Sequence, residues 1–432
     1  MMKRESLKQL QQWKSSKKRK PLILQGARQV GKTWLMKEFG RISFKNTVYL
    51  NFESNLRLKN IFKEDFDLER IVSIFEIESN QKIEKKNTLL IFDEIQEADR
   101  GLTSLKYFYE NAPEYNIIAA GSLLGIAMQH KNSFPVGKVD FLNLYPLSFY
   151  EFLLNTGEER LLEELENKNW DLIENFHEKL VGYLRAYYFT GGMPEVVAEY
   201  IQNKNHETVR QLQQKILLGY ENDFAKHAPN EIVPRIRMVW KSLLSQLAKE
   251  NRKFTYGQIK TGGRAKDFDH AINWLVDAGL VLKINRIATA KIPLKAYTEL
   301  DAFKLFMHDI GLLNAAANLD AKILLEKNNI LTQFKGAITE QFVCQQLYPK
   351  LALNYWSAES ARAEIDFVFQ HKNEIVPLEV KAEENLKAKS LRVFVDKFKI
   401  KKALRTSMNK YRKESWLTNI PLYGIENIST LF

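Results

Sequence analysis

Cysteine is all but missing. Cys344 is the single one in 432 residues, so the chain forms no internal disulfide and builds no cysteine-rich zinc site. It sits on an apolar helical run and reads as a small core residue. Long apolar stretches are missing too. The longest, IIAAGSLLGIAM over 117–128, is well short of the roughly 20 residues a bilayer span needs. The opening MMKRESLKQLQQWKSSKKRK is basic but has no apolar core behind it, which argues against a secretory signal. There is no internal repeat and no low-complexity linker. Together these absences predict a cytoplasmic chain that spans no membrane.

Positive charge is in excess. The formal net charge is +12 and the pI about 9.3, a balance that favours phosphate-rich partners but also serves solubility. The length exceeds one ordinary core and predicts several domains. From Pro21 to about Phe149, short apolar runs alternate with helical patterns: PLILQG (21–26), NTVYLNFE (46–53), TLLIFDE (88–94), NIIAAGS (116–122) and DFLNLYPLSF (140–149). Near-continuous apolar strands alternating with helices imply an α/β fold with a doubly wound parallel sheet. Residues from about 150 to 225 are mostly helical, and a final α/β unit starts near Phe334. The expected division is 1–150, 151–228, 229–325 and 326–432.

GARQVGKT (26–33) fits G-x-x-x-x-G-K-[ST] between a strand and a helix, the context that motif requires. Backbone N–H groups from Gly26, Ala27, Arg28, Gln29, Val30 and Gly31 would face phosphate oxygens, helped by the helix N-terminus. Lys32 would reach the β- and γ-phosphates, and Thr33 would ligate Mg²⁺. A plain glycine turn explains an isolated match, but LLIFDE (89–94) ends an apolar strand in two carboxylates. Asp93 would hold Mg²⁺ and Glu94 would polarise the attacking water. The two motifs in this order point to ATP and Mg²⁺. Ser122, after a third strand, is either a γ-phosphate sensor or a turn residue.

With DEIQ (93–96), PLSFYEF (146–152) and GGMPEVV (191–197), these segments resemble a group of bacterial and archaeal AAA-type P-loop ATPases with an uncharacterised C-terminal domain. The resemblance runs from about Pro21 to Lys381. It implies a P-loop NTPase core over 1–150 and a helical lid over 151–228. It also implies an arginine before the fifth strand, where this chain has Gly137-Lys138-Val139. Lysine offers a point charge instead of a bidentate fork, so slow ATP turnover is expected, with Arg100 and Arg185 as alternative fingers.

Residues 230–300 read as a winged helix. In DFDHAINWLVDAGL, Phe268, Ala271, Ile272 and Leu275 fall at helical spacing and Gly279 suits a C-cap. The residues expected on the exposed face are Asp267, Asp269, His270, Asn273 and Asp277, which would repel a phosphate backbone. Lys260, Arg264 and Lys266 gather near the preceding turn. The module therefore either packs against its own ATPase domain or another protein, or touches DNA through its turn and wing.

Near the C-terminus, GAITEQFVCQQLYPKL (336–351) reads as a helix carrying Glu340. AEIDFVFQ and EIVPLEVKA read as two strands joined around His371-Lys372-Asn373. Glu379 and Lys381 share a strand face, and the expected register sets Asp366 beside Glu379. Carboxylates so placed repel unless a cation joins them, and Mg²⁺ prefers such ligands. The set resembles the PD-(D/E)xK nucleases, a restriction-endonuclease-like α/β fold. On that resemblance Asp366, Glu379 and Glu340 are metal-site residues and Lys381 assists the nucleophile. Glu364 faces the same side and competes as a ligand. A solvated Glu379–Lys381 pair is the plainer alternative. From Lys381 to Lys413 there are twelve Lys/Arg against three Asp/Glu, read as a basic helical tail suited to a nucleic-acid backbone.

The sequence thus predicts an ATP-hydrolysing AAA-type ATPase acting on or near DNA, with catalysis at Glu94 and, if the far centre cuts, at Asp366, Glu379 and Lys381. The alternative is a nucleotide-controlled switch or scaffold whose nuclease-like domain binds DNA or a protein without cleavage. Homo-oligomers are compatible with both.

Overall fold

The computed structural model describes residues 2–121, 135–249, 253–326, 334–358, 363–382 and 388–430. The chain divides into two compact units, one of Lys3–Tyr145 with Asp277–Gly279, the other of Pro146–Val276 and Leu280–Phe432 with the first two residues.

In the first unit, β1 (Leu22–Gln25), β2 (Asn46–Asn51), β3 (Thr88–Asp93), β4 (Asn116–Ala120) and β5 (Asp140–Asn143) form one sheet. Its order is β2-β3-β4-β1-β5 and every pairing is parallel. β3 and β4 are buried at every position, hence the apolar runs 89–92 and 117–120 within them. The register levels the carboxyl ends, because Leu24 and Asp93 both pair with Ala120. The core beneath is aromatic, with Phe52, Phe62, Phe75, Phe92 and Phe108 in ring contact. All five expected strands are present, but the last is shorter. Residues 140–149 stay extended only to Asn143, since Ser148 and Glu151 form a capping box that starts a helix at Phe149.

In the second unit, helices Phe149–Asn155, His177–Thr190 and Pro194–Asn203 fall where expected, followed by His206–His227. Helices Val233–Leu247, Tyr256–Ile259 and Ala265–Asp277 then precede an antiparallel hairpin of β6 (Val281–Ile287) and β7 (Thr298–Met307). Phe268, Ala271, Ile272 and Leu275 are buried. Leu280 N–H donates to Leu275 O (3.0 Å) past Gly279 at φ +73°, the expected C-cap. Asp269, His270 and Asn273 are exposed, but Asp267 is half-buried, its carboxylate accepting from the Arg264 N–H at 3.0 Å. Asp277 is half-buried as well.

β6 and β7 do not stand alone. β8 (Asn354–Ser357), β9 (Glu364–His371), β10 (Glu374–Val380), β11 (Ala403–Ser407), β12 (Arg412–Lys413) and β13 (Leu417–Pro421) extend the same sheet. The order is β12-β13-β11-β10-β9-β8-β6-β7. The basic stretch is a correction to the sequence reading. Among its described residues only Lys389–Phe398 are helical, and β11 is a fully buried strand, paired parallel with β10 and β13. Its Ala-Leu-Arg-Thr-Ser sequence alternates too weakly to announce that role. Cys344 is buried, as expected.

Two motifs that carried the family resemblance meet at one joint. Leu147 N–H donates to Gly192 O (2.7 Å), and Gly192 N–H donates to Asp309 Oδ2 (2.7 Å). A Cβ on Gly191 would lie 2.2 Å from Asp309 Oδ1, and one on Gly192 would lie 2.1 Å from Leu147 O. Both positions therefore demand glycine. Asp309 also accepts from the Leu312 N–H at 2.9 Å. Burial lifts its carboxyl from 3.8 to about 6, against the pull of those backbone donors. The fold thus binds this proton more tightly than the unfolded chain does. Its contribution to stability is largest below about pH 4 and is lost as pH rises through about 6. The thermal midpoint of Asp309→Asn is expected to depend less steeply on pH across that window than that of the wild type. Equal slopes would remove Asp309 as the source.

Candidate functional site

The loop after β1 turns sharply. Gly26 has φ +147°, Gln29 +68° and Gly31 +92°, the last immediately before helix Lys32–Ser43. A Cβ on Gly26 would meet Leu144 O at 2.1 Å, so the turn is closed to any other residue. Ala27 and Val30 are buried, while Arg28 and Gln29 are exposed. Lys32 is buried and folds back, its Nζ donating to the carbonyls of Gly26 and Ala27, both at 2.8 Å. Burial lowers its pKa to about 8, opposed by Glu94 and Asp93.

Thr33 Oγ1 donates to Asp93 Oδ2 at 2.8 Å, bridging the first turn of helix Lys32–Ser43 to the end of β3. Tyr49 OH donates to the same oxygen at 2.8 Å, and burial raises its pKa to about 12. Glu94 is held in the left-handed region (φ +51°), where its Oε2 accepts from Gln96 Nε2 at 2.6 Å. Glycine-shaped backbone at a helix N-terminus, a buried lysine on backbone carbonyls and hard oxygen donors fit a nucleoside triphosphate with magnesium. Lys32 would hold the terminal phosphates, while Thr33 and Asp93 would hold the ion. When bound, magnesium supplies Lewis-acid polarisation of phosphoryl oxygens. Glu94, next to Asp93 at the end of β3, would be the carboxylate to orient and deprotonate water. Ser122 lies outside the described residues.

Lys138, at the expected finger position, is tied to Glu110 Oε1 at 2.9 Å. Arg100 lies 4.3 Å from the Phe66 ring centroid and donates to Lys63 O at 3.3 Å. Arg185 is half-buried in helix His177–Thr190.

In the second unit, β9 and β10 pair antiparallel through Leu378↔Phe367. One further step sets Glu379 opposite Asp366, whose Oδ2 accepts the Val380 N–H at 2.7 Å. Lys381 Nζ lies 2.8 Å from Glu379 Oε1. Glu379 Oε2 is buried with no hydrogen-bond partner. Burial raises the Glu379 carboxyl above its usual range, the Lys381 contact opposes this, and the Asp366 charge adds to it. Asp366, Glu379 and Lys381 are therefore together, and the orphaned oxygen beside a second carboxylate fits a divalent cation. Glu340, on helix Phe334–Leu347, has another partner. Its Oε1 accepts from Lys304 Nζ at 2.9 Å, both side chains are fully buried, and the same ammonium pairs with Glu364. Lys304 thus supplies the charge that an ion would bring to Glu340 and Glu364. Among the described residues, no three His, Cys, Asp or Glu gather as an ion site.

Residues 18–153 match an AAA domain (AAA_14). The segment is an AAA-type P-loop ATPase domain. Two domains of unknown function follow this ATPase domain, DUF8612 over 181–323 and DUF4143 over 335–424. Among solved structures, a Walker-type ATPase of Pyrococcus abyssi is similar at 14% identity, covering 73% of this chain and 96% of that one, with a TM-score of 0.47. The ORC1 protein of Aeropyrum pernix in complex with DNA gives 13%, 74%, 93% and 0.30 on the same measures. The RuvB Holliday junction branch migration motor of Thermotoga maritima gives 14%, 65%, 89% and 0.31. No curated protein matches the sequence. No helix of the described residues is long and apolar enough to cross a membrane.

Sequence reasoning missed Tyr49, Gln96 and Lys304. Period two along β2 puts Tyr49 on the face of Asn51, and that signal was available. Lys304 lies inside DAFKLFM, where a charge needs a partner as much as Glu379 does in IVPLEV. Removing one partner of a buried pair leaves the other uncompensated, so Lys304→Met is expected to cost about 3–5 kcal/mol in chemical denaturation. Adding Glu340→Gln should recover much of that. A single-variant loss no larger than that of an exposed lysine would show that the pair is not buried as described.

Proposed function

We propose that this chain hydrolyses ATP to control its engagement with nucleic acid, DNA being the expected form. The observation that carries the ATP half is the Thr33 Oγ1–Asp93 Oδ2 bridge at 2.8 Å beside Glu94 and the Gly26 turn. It brings together the oxygen donors, the ammonium and the water-orienting carboxylate that phosphoryl transfer uses. We read 151–228 as a helical lid, 229–325 as a winged helix with its connector, and 326–432 as nuclease-like. The second reading is supported by three helices followed by the β6–β7 hairpin, the third by the Asp366–Glu379–Lys381 grouping on adjacent strands. The nucleic-acid half rests on the +12 net charge and the basic stretch that ends in β12.

The test is steady-state ATP turnover by the full chain, with and without DNA. Glu94→Gln is expected to lower turnover on the order of 10²-fold, the scale of a lost general base. Lys138→Ala should leave it within about twofold, since that ammonium already serves Glu110 and gives only a point charge. Fast hydrolysis abolished by Lys138→Ala would contradict this account of the site.

One observation favours a second reading, phosphodiester cleavage at the C-terminal hairpin: the orphaned Glu379 Oε2 beside Asp366. Branched, single-stranded and duplex DNA with Mg²⁺ or Mn²⁺ discriminates between the readings. Cleavage by wild type but not by Asp366→Ala supports cutting, whereas salt-sensitive binding without products supports a domain that only holds its partner.

A further inference from the structure

An open cleft of about 480 Å³ lies beside the C-terminal hairpin. Its walls are Lys389 and Arg392 from helix Lys389–Phe398, Arg405 from β11, and Arg412, Glu414 and Trp416 from the β12–β13 edge. Four cations therefore face one carboxylate. Glu414 takes up part of one of them, 3.3 Å from Arg412. Arg392 is shared between Asp396, at 3.1 Å, and the Trp416 ring, 5.1 Å away.

Arg405 makes the cleft more than a charged surface. It is 2% exposed, and its Nε donates to Asn419 Oδ1 at 3.0 Å. That oxygen also accepts from Ser407 Oγ at 2.9 Å. The Asn419 contact fixes the guanidinium in direction, while the Glu414 and Glu379 carboxylates act on it through their charge. In the parallel register Arg405 pairs with Glu379, so the inner end of the cleft adjoins the Asp366–Glu379–Lys381 group. A buried, oriented guanidinium with exposed Lys389 and Arg412 is built for an anion with several charged oxygens. Half-buried Trp416 adds an aromatic wall that a base would use and an inorganic anion would not. The volume suits a nucleotide unit and is too small for a duplex.

We propose that this cleft binds a single-stranded nucleic-acid segment, with phosphates on Lys389, Arg405 and Arg412 and a base against Trp416. The proposal rests on the nucleic-acid reading above and specifies where the strand lies.

The test is fluorescence anisotropy of the full chain with a short labelled oligothymidylate, titrated at several salt concentrations. Lys389→Glu/Arg412→Glu changes two exposed residues, so the fold is kept. Lys17→Glu/Lys18→Glu makes the same change in net charge at exposed sites elsewhere. The cleft variant should bind at least about tenfold more weakly, with a log–log salt slope shallower by about 1.4, that is about 0.7 for each lost phosphate contact. The control variant should behave as wild type. Equal losses in both variants would reduce the effect to bulk charge and overturn the cleft. Unchanged affinity and slope in the cleft variant, with wild type binding, would sink the cleft and leave the nucleic-acid reading standing. No binding by wild type at low salt would end both. Tighter binding of a duplex, or equal displacement by polyglutamate, would overturn the single-stranded assignment.

Discussion

The hydrogen bond from Thr33 to Asp93 links the helix that follows β1 to the end of β3, a strand that does not neighbour β1. β4 runs between β1 and β3, and the bond forms only because the parallel register brings Leu24, Ala120 and Asp93 level. Everything proposed for the ATPase domain depends on that alignment. A slip of the β3 pairing by one residue would turn Asp93 to the opposite face of the sheet. The loop is as constrained as the sheet. Gly26 sits where a single added carbon would strike Leu144 O, so the backbone is shaped before any phosphate arrives, which lowers the ordering cost of binding.

The second unit solves a different problem, how to keep charge inside a sheet-centred core. Its answers are paired groups, several of them far apart in sequence. Lys304 lies between Glu340 and Glu364, Lys381 holds one oxygen of Glu379, and Asp309 is met by the backbone N–H groups of Gly192 and Leu312. Such pairs add little net stability but penalise any arrangement that separates them. Glu379 Oε2 is buried without a hydrogen-bond partner, and it is the atom on which the two proposed readings of the hairpin, cleavage and binding, divide.

Much of the ATPase domain was legible in advance, because its strands are buried on both faces and its motifs require glycine, lysine and acid at fixed offsets. Gly26, Lys32, Thr33, Asp93 and Glu94 fall together as their spacing implied. The hairpin was legible for a similar reason, since period two and a polar turn set the register that brings Glu379 to Asp366. Long-range pairings were hidden. Nothing local to Lys304 says that it will meet a helix residue 36 positions away, and so Glu340 was read as part of a metal site. β11 was hidden because its arginine and threonine mimic a solvated helix face until two parallel neighbours bury it. PLSFYEF and GGMPEVV were recognisable only as signatures, and their physical role as the two sides of one glycine joint needed coordinates.

The central claim is that a magnesium-bound nucleoside triphosphate occupies the turn after β1. Titration calorimetry of the full chain with ATP and magnesium tests it most directly, wild type beside Lys32→Ala. A saturable heat in the wild type that vanishes in the variant is the predicted result. Absence of heat in the wild type, or an undiminished signal once the lysine is gone, would contradict it.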